Sequence, residues 1–214
     1  MLDTGSADLW VTSKNCTTCT QGNPSFDKTA SSTFQAVQNS TGQPVTAEIT
    51  YGSGVVSGNV VKDTVAMGDF QVPSQSWLLV ERTSGGILTS FNDGIMGLAF
   101  KAAGFATPFW QSLTERNKLA IPEMSFWLTR RLGDPNAQDH EFGGVFTLGG
   151  QNKTLYKGDV EFLPLVTLAG RQTHWLLNVS GMYPICTRLA LDSFSPTGLN
   201  PRDHGQRRDH HLAA

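Results

Sequence analysis

The stretch Leu2-Asp3-Thr4-Gly5-Ser6-Ala7-Asp8-Leu9-Trp10-Val11 decides how this chain is read. One apolar residue leads into Asp-Thr-Gly, and an apolar, strand-prone run follows. That order describes a carboxylate, Asp3, at a tight turn between two extended segments, the second running over Ala7–Ser13. Thr4 supplies a hydroxyl, and Gly5 lets backbone amides approach whatever lies beside Asp3. The triplet alone equally describes an ordinary β-turn with an Asx bond, so its meaning depends on what surrounds it.

Working outward, Ala47-Glu48-Ile49-Thr50-Tyr51 alternates polar and apolar residues before Gly52-Ser53-Gly54 turns the chain and Val55-Val56 resumes it. This predicts a β-hairpin with a permissive tip between Ala47 and Val61. A glycine-rich tip can also cradle phosphate, but phosphate loops end at a helix N-terminus, and no helical pattern follows here. Asn92-Asp93-Gly94-Ile95-Met96-Gly97-Leu98-Ala99-Phe100 is an apolar run broken by two glycines, as expected of a buried strand that another backbone approaches closely. Asp63–Met67, Phe70–Val72, Ser76–Val80 and Met124–Thr129 read as further short strands. The convincing helix start is Thr107-Pro108-Phe109-Trp110, with Thr107 as cap, Pro108 in the first turn, and Phe109, Trp110 and Leu113 on one face.

The bulk composition agrees with a turn-rich β protein. Of 214 residues, 39% are hydrophobic and 22 are glycine, which argues against a coiled coil or a disordered chain. A net charge of -2 gives no case for nucleic acid or an anionic membrane. No apolar run approaches the roughly 20 residues of a membrane span. No apolar leader precedes the Asp-Thr-Gly motif, and a carboxylate so near Met1 lacks a preceding strand, so Met1 is read as not the natural start.

Several motifs stand together and in order: Asp3-Thr4-Gly5-Ser6 with Leu9-Trp10-Val11, Ser25–Phe34, Tyr51-Gly52-Ser53-Gly54, Gly94-Ile95-Met96-Gly97, and Gly143–Gly150 with Lys157–Leu165. Over about residues 2–182 the chain resembles the pepsin-like aspartic proteases, of the fungal acid-protease type, with Lys28 where that family carries proline. The resemblance implies an all-β fold: a pepsin-like lobe of a bilobal protein, with only the first lobe substantially present. By the same resemblance Asp3 is catalytic, Thr4, Ser6 and Trp10 support it, and Ser6 hydrogen-bonds its outer oxygen. Tyr51 closes over the substrate and hydrogen-bonds toward Trp10, while Gly5, Gly52 and Ser53 complete the substrate-binding set. Ile95 would line the cleft, and the strands from Gly143 to Leu165 would join the two lobes.

Cys16 and Cys19 flank Thr17-Thr18 in a polar loop. A redox Cys-x-x-Cys usually opens a helix, and a zinc half-site needs a second pair; the resemblance instead implies a small disulfide loop, usually with wider spacing. Asn15, Asn39, Asn152 and Asn178 each begin an Asn-x-Ser/Thr triplet. Together with the resemblance they point to an extracellular protein.

The expected division is an N-terminal protease lobe over 1–172, lacking its first strands, and the opening of a second lobe followed by an unrelated, disordered tail over 173–214. Trp175–Val179 would open that second lobe. The tail contains Asp209-His210-His211, which has no periodic scaffold to orient metal ligands, and His140 and His174 lack a partner motif. Leu189-Ala190-Leu191-Asp192-Ser193-Phe194 echoes a second active-site segment, but Phe194 stands where glycine is needed, so Asp192 is not accepted as a second aspartate. The break after Met182 suggests a truncated or misread frame.

The implied reaction is peptide hydrolysis by water held between two carboxylates that share one proton, with no metal and no cofactor. Asp3 supplies one carboxylate, and a second Asp-Thr/Ser-Gly occurs nowhere in the 214 residues. The chain is therefore read as an incomplete aspartic endopeptidase, inactive alone. Its partners would be a polypeptide substrate and pepstatin-like inhibitors. Two alternatives are a non-catalytic lobe that binds peptides or an inhibitor, and a homodimeric protease in which two Asp3 residues meet.

Overall fold

A computed structural model describes residues 1–19, 24–88, 92–131, 134–138 and 141–179. The tail beyond Met182, Asp192, the histidine pair and His140 lie outside the described residues. The described chain is mostly strand: β1 (Leu2–Asp3), β2 (Leu9–Thr12), β3 (Gln35–Ala36), β4 (Thr46–Tyr51), β5 (Gly54–Met67), β6 (Phe70–Gly85), β7 (Gly94–Gly97), one helix α1 (Phe109–Glu115), then β8 (Met124–Leu128) and β9 (Gly144–Leu148). This is the all-β lobe that the motifs implied.

The chain divides into two compact units, Met1–Pro122 with Val166–Leu176, and Glu123–Leu165 with the residues from Leu177. In the first, strands lie in the order β1-β7-β2-β6-β5-β3, with β4 paired to β5. β6 is central, and its Trp77-Leu78-Leu79-Val80 run has alternate side chains on opposite faces. Trp77 and Leu79 pack with Leu9 and Val61 on one face. Leu78 and Val80 pack with Trp10, Val56, Ile87 and Ile95 on the other. A strand covered on both faces has no use for polar alternation, which explains the unbroken apolar run.

Three expectations need correction. Asp63–Met67, Phe70–Val72 and Ser76–Val80 are not separate short strands; they belong to the long antiparallel β5–β6 ladder, which turns tightly after Met67. Gly68 there has φ +56, a conformation that glycine adopts without a Cβ penalty. Thr107 does not cap α1, because Pro108 occupies the cap position without a side-chain bond. The Thr107 carbonyl instead accepts from Gln75 Nε2 at 2.7 Å. Lys157–Leu165 forms no strand, and of the strands expected from Gly143 to Leu165 only β9 is present, paired with β8.

In the second unit, β8 and β9 form an antiparallel pair with Phe126 and Phe146 in cross-strand contact, ring centroids 4.9 Å apart. Gly149 N donates to the Glu123 carbonyl at 2.8 Å, and Gln151 Nε2 donates to Glu123 Oε2 at 3.0 Å.

Candidate active site

Asp3 ends β1, which runs parallel to β7 with Leu2 beside Met96 and Asp3 beside Gly97. Its backbone carbonyl accepts from Leu98 N at 2.7 Å. Ser6 O accepts from Ala99 N at 2.8 Å and Asp8 O from Gly97 N at 3.0 Å, so the whole turn hangs on the glycine-broken run. The glycines are sterically required. A Cβ on Gly97 would lie 2.3 Å from the Ala7 carbonyl carbon, and one on Gly94 would lie 2.2 Å from Trp10 O.

The turn then fixes the carboxylate through both oxygens. Gly5 N donates to Asp3 Oδ1 at 2.9 Å, and Ser6 Oγ donates to Asp3 Oδ2 at 2.6 Å. Asp3 is half-buried, while Thr4 and Gly5 are exposed, so one side of the turn faces open space. The Asx bond is present, but here it belongs to a carboxylate pinned at two points.

Tyr51 ends β4 where the hairpin turns, and β4 and β5 pair from Thr46–Asn59 to Tyr51–Gly54. Trp10 Nε1 donates to the Tyr51 hydroxyl at 2.9 Å, which ties the turn end of the hairpin to the strand after the Asp-Thr-Gly turn. Burial pushes the Tyr51 phenol above its ordinary value; contacts with Ser6 and Trp10 pull it down, and the nearby charges of Asp3 and Asp8 raise it. The phenol therefore stays protonated and can donate. Gly52 and Ser53 are exposed at the tip, and the Ser53 carbonyl accepts from Gly86 N at 2.8 Å. Cys16 and Cys19 form a disulfide. Ile95, expected to line the cleft from a core strand, takes the core role: it is 2% exposed and lies in the cluster around Trp10.

Two residues carry a weight that the sequence reading did not give them: Asp8, and Trp175, which was expected to open a second lobe and packs within the first unit instead. Asp8 is 5% exposed, and its Oδ1 accepts from Phe105 N at 3.0 Å and Ala106 N at 3.1 Å. Burial raises its carboxyl pKa, against those two backbone bonds. The available signal was a carboxylate inside an apolar strand run. Trp175 donates through Nε1 to Leu98 O at 2.9 Å, and its ring centroid lies 4.4 Å from Phe100, so it buttresses the segment that holds Asp3.

Among the described residues, no group of three or more His, Cys, Asp or Glu side chains is placed to hold a metal. No helix among them is long and apolar enough to cross a membrane.

A pinned aspartate on a glycine-braced turn, with a tyrosine hairpin tied to the following tryptophan, matches the motif order over most of the chain. A family model described as eukaryotic aspartyl protease matches residues 1–186. The chain belongs to the eukaryotic aspartyl protease family. Among its relatives, major aspartyl peptidase 1 of Cryptococcus neoformans var. grubii is 35% identical over 206 residues, which are 94% of this chain and 40% of the relative. An aspartic proteinase of Oryza sativa subsp. japonica is 35% identical over 187 residues, 85% of this chain and 34% of the relative. Gastricsin of Oryctolagus cuniculus is 33% identical over 184 residues, 84% of this chain and 43% of the relative. The chain thus spans between a third and just over two fifths of the length of these aspartyl protease relatives. The family model ends before Asp192, whereas the 94% of this chain aligned to the Cryptococcus relative extends past it.

Proposed function

We propose that this chain supplies one catalytic carboxylate, Asp3, and the covering hairpin of an aspartic endopeptidase. The observation that carries the reading is the double pinning of Asp3 by Gly5 N and Ser6 Oγ on a turn joined to Tyr51 through Trp10. In such an enzyme one carboxylate takes a proton from water as it attacks the peptide carbonyl, and the other donates a proton to the carbonyl oxygen. Asp3 takes one of those parts and Tyr51 with Gly52 and Ser53 covers the polypeptide. Gly5 contributes at the floor of the site, and Thr4, Ser6 and Trp10 hold the geometry. The same cleft would accept pepstatin-like inhibitors.

One carboxylate cannot be base and acid to the same water in one step, and the shared proton of a like-charged pair is also lost. General acid–base help is worth on the order of 100- to 10,000-fold, so the chain as a monomer hydrolyses peptides negligibly. A first lobe over 1–172 and the opening of a second from 173 remain the proposed division, with the second carboxylate on a further half. A Cys16–Cys19 disulfide and four Asn-x-Ser/Thr triplets support an extracellular setting.

The test joins this chain in frame to the second half of the Cryptococcus relative, which would carry the partner Asp-Thr/Ser-Gly. The fusion should cleave denatured haemoglobin at acid pH, and Asp3→Asn should abolish that turnover. The unfused chain should show none. A folded fusion whose turnover survives Asp3→Asn, or that has no turnover at any acid pH, defeats the proposal. Turnover of the unfused chain rising with the square of concentration would support the homodimer in its place.

A further inference from the structure

We infer that the disulfide loop Cys16–Cys19 braces the covering hairpin through the end of β6, with Thr18 as the positioning residue. The inference rests on reading Tyr51–Gly54 as the element that closes over a polypeptide.

β2 runs parallel to β6 from Trp10–Leu78 to Thr12–Val80, and Ser13 N continues the pairing onto Val80 O at 2.8 Å. An ordinary loop would leave the sheet there. Instead the disulfide folds the chain back so that Thr17 N approaches Glu81 O at 3.4 Å. Thr83 N then donates to Thr18 Oγ1 at 2.7 Å, and Thr83 Oγ1 donates to Thr18 O at 3.1 Å. Cys19 itself packs against the core cluster that holds Trp10 and Val56.

The opposite edge of this part of β6 carries the hairpin. Val56 pairs with Thr83, Val55 with Ser84 and Gly54 with Gly85, and Gly86 N donates to Ser53 O at 2.8 Å. The backbones are in direct contact: a Cβ on Gly54 would lie 2.1 Å from Ser84 O, and one on Gly85 would lie 2.5 Å from Ser53 O. Thr83 is thus held on one edge by Thr18 and on the other by the hairpin strand.

The physical need for a brace is clear from the residues. Ser84, Gly85 and Gly86 are exposed, and two adjacent glycines lose more backbone freedom on ordering than other residues would. In this extension β5 is paired on both sides, to β4 and to β6. The open edge is that of β6 beyond Val80, where a hydrogen-bonded partner holds the exposed strand end against local opening. The Thr17-Thr18 segment supplies that partner, and the disulfide keeps it short enough to reach.

The experiment follows amide hydrogen exchange in the purified chain and in Thr18→Val, Thr18→Ser and the double variant Cys16→Ser/Cys19→Ser. Thr18→Val and the double variant should speed exchange at residues 52–56 and 84–86 by about three- to tenfold, the effect of one to two lost hydrogen bonds, while Leu78–Val80 stay protected. Thr18→Ser keeps the hydroxyl acceptor and should exchange like the parent. If the double variant does not fold, the Val and Ser pair carries the test. Unchanged exchange at 52–56 in a folded Thr18→Val protein overturns the brace. In the active fusion, Thr18→Val should raise KM with little change in kcat. Faster exchange with unchanged KM would support the brace and count only against the covering role of the hairpin.

Discussion

The indole of Trp10 donates to the hydroxyl of Tyr51 at 2.9 Å, across a separation of 41 residues. Trp10 has no exposed surface and sits among Val56, Leu78, Val80, Ile87 and Ile95. One hydrogen bond therefore ties the turn end of the hairpin to the buried core around Trp10. It also holds the phenol within the field of Asp3, whose charge helps keep it protonated.

Removing either partner should expose this coupling. Trp10→Phe removes the indole donor to the Tyr51 hydroxyl and opens space in the core, at a cost of about 2–4 kcal/mol. Tyr51→Phe should cost about 1 kcal/mol. The double variant should be less destabilised than the sum by about 1 kcal/mol, read from urea unfolding midpoints. Strict additivity would mean that the bond contributes nothing.

Gly97→Ala should be among the most damaging single-methyl changes available. Its Cβ would stand 2.3 Å from the Ala7 carbonyl carbon and 2.6 Å from Asp8 N, which are backbone atoms with no rotamer to change. A loss of about 3 kcal/mol or more is expected. Gly68→Ala meets open space, and only its positive φ is strained, so about 1 kcal/mol is expected there. Thermal unfolding of the two variants side by side checks the difference.

Asp8 should make the fold prefer acid. Burial holds its carboxyl above the ordinary aspartate range, against the bonds from Ala106 and Phe105. A carboxyl raised in the folded state contributes stability that is fully present below its unfolded value and is lost as pH rises through the folded one. Asp8→Asn keeps an oxygen for Phe105 N and Ala106 N but carries no charge. Its stability advantage over the parent should grow from about pH 3 to pH 7 and be absent at the acid end. A constant penalty across that range would show that the charge is not what matters.

Trp175 should be needed by the first unit although it follows the second unit's hairpin in sequence. Its ring lies against Phe100 and Trp110, and Val166 N donates to Leu176 O at 2.8 Å within the same returning segment. Trp175→Ala should cost about 2 kcal/mol, less than a fully buried tryptophan because the side chain is only half-buried. Faster amide exchange at Leu98–Phe100 should accompany it. Unchanged exchange there would remove Trp175 from the support of Asp3.

The sequence alone determined what depends on short-range order. Asp-Thr-Gly identified the carboxylate and its turn, and the family resemblance added the Ser6 partner; all of these contacts lie within a few residues of each other. The hairpin around Gly52-Ser53-Gly54 was readable for the same reason, since alternation and glycine act locally. The long β5–β6 ladder was not, because Gly68-Asp69 and Pro73-Ser74-Gln75 look like strand ends. The first is the turn joining β5 to β6, and a register shift between Asp63 and Val65 accommodates the second.

Only the tertiary structure decided which distant groups share a bond. Asp8 looks like one more polar residue beside a motif until Phe105 and Ala106 present their amides to it. Thr18 looks like loop filler until Thr83 lies against it. Nothing local selects those partners: they meet because β2, β6 and β7 must bury Trp10, Leu78 and Ile95 together, and that packing fixes which loops adjoin. Local sequence sets the turn that holds Asp3, while burial of the shared core sets what surrounds it.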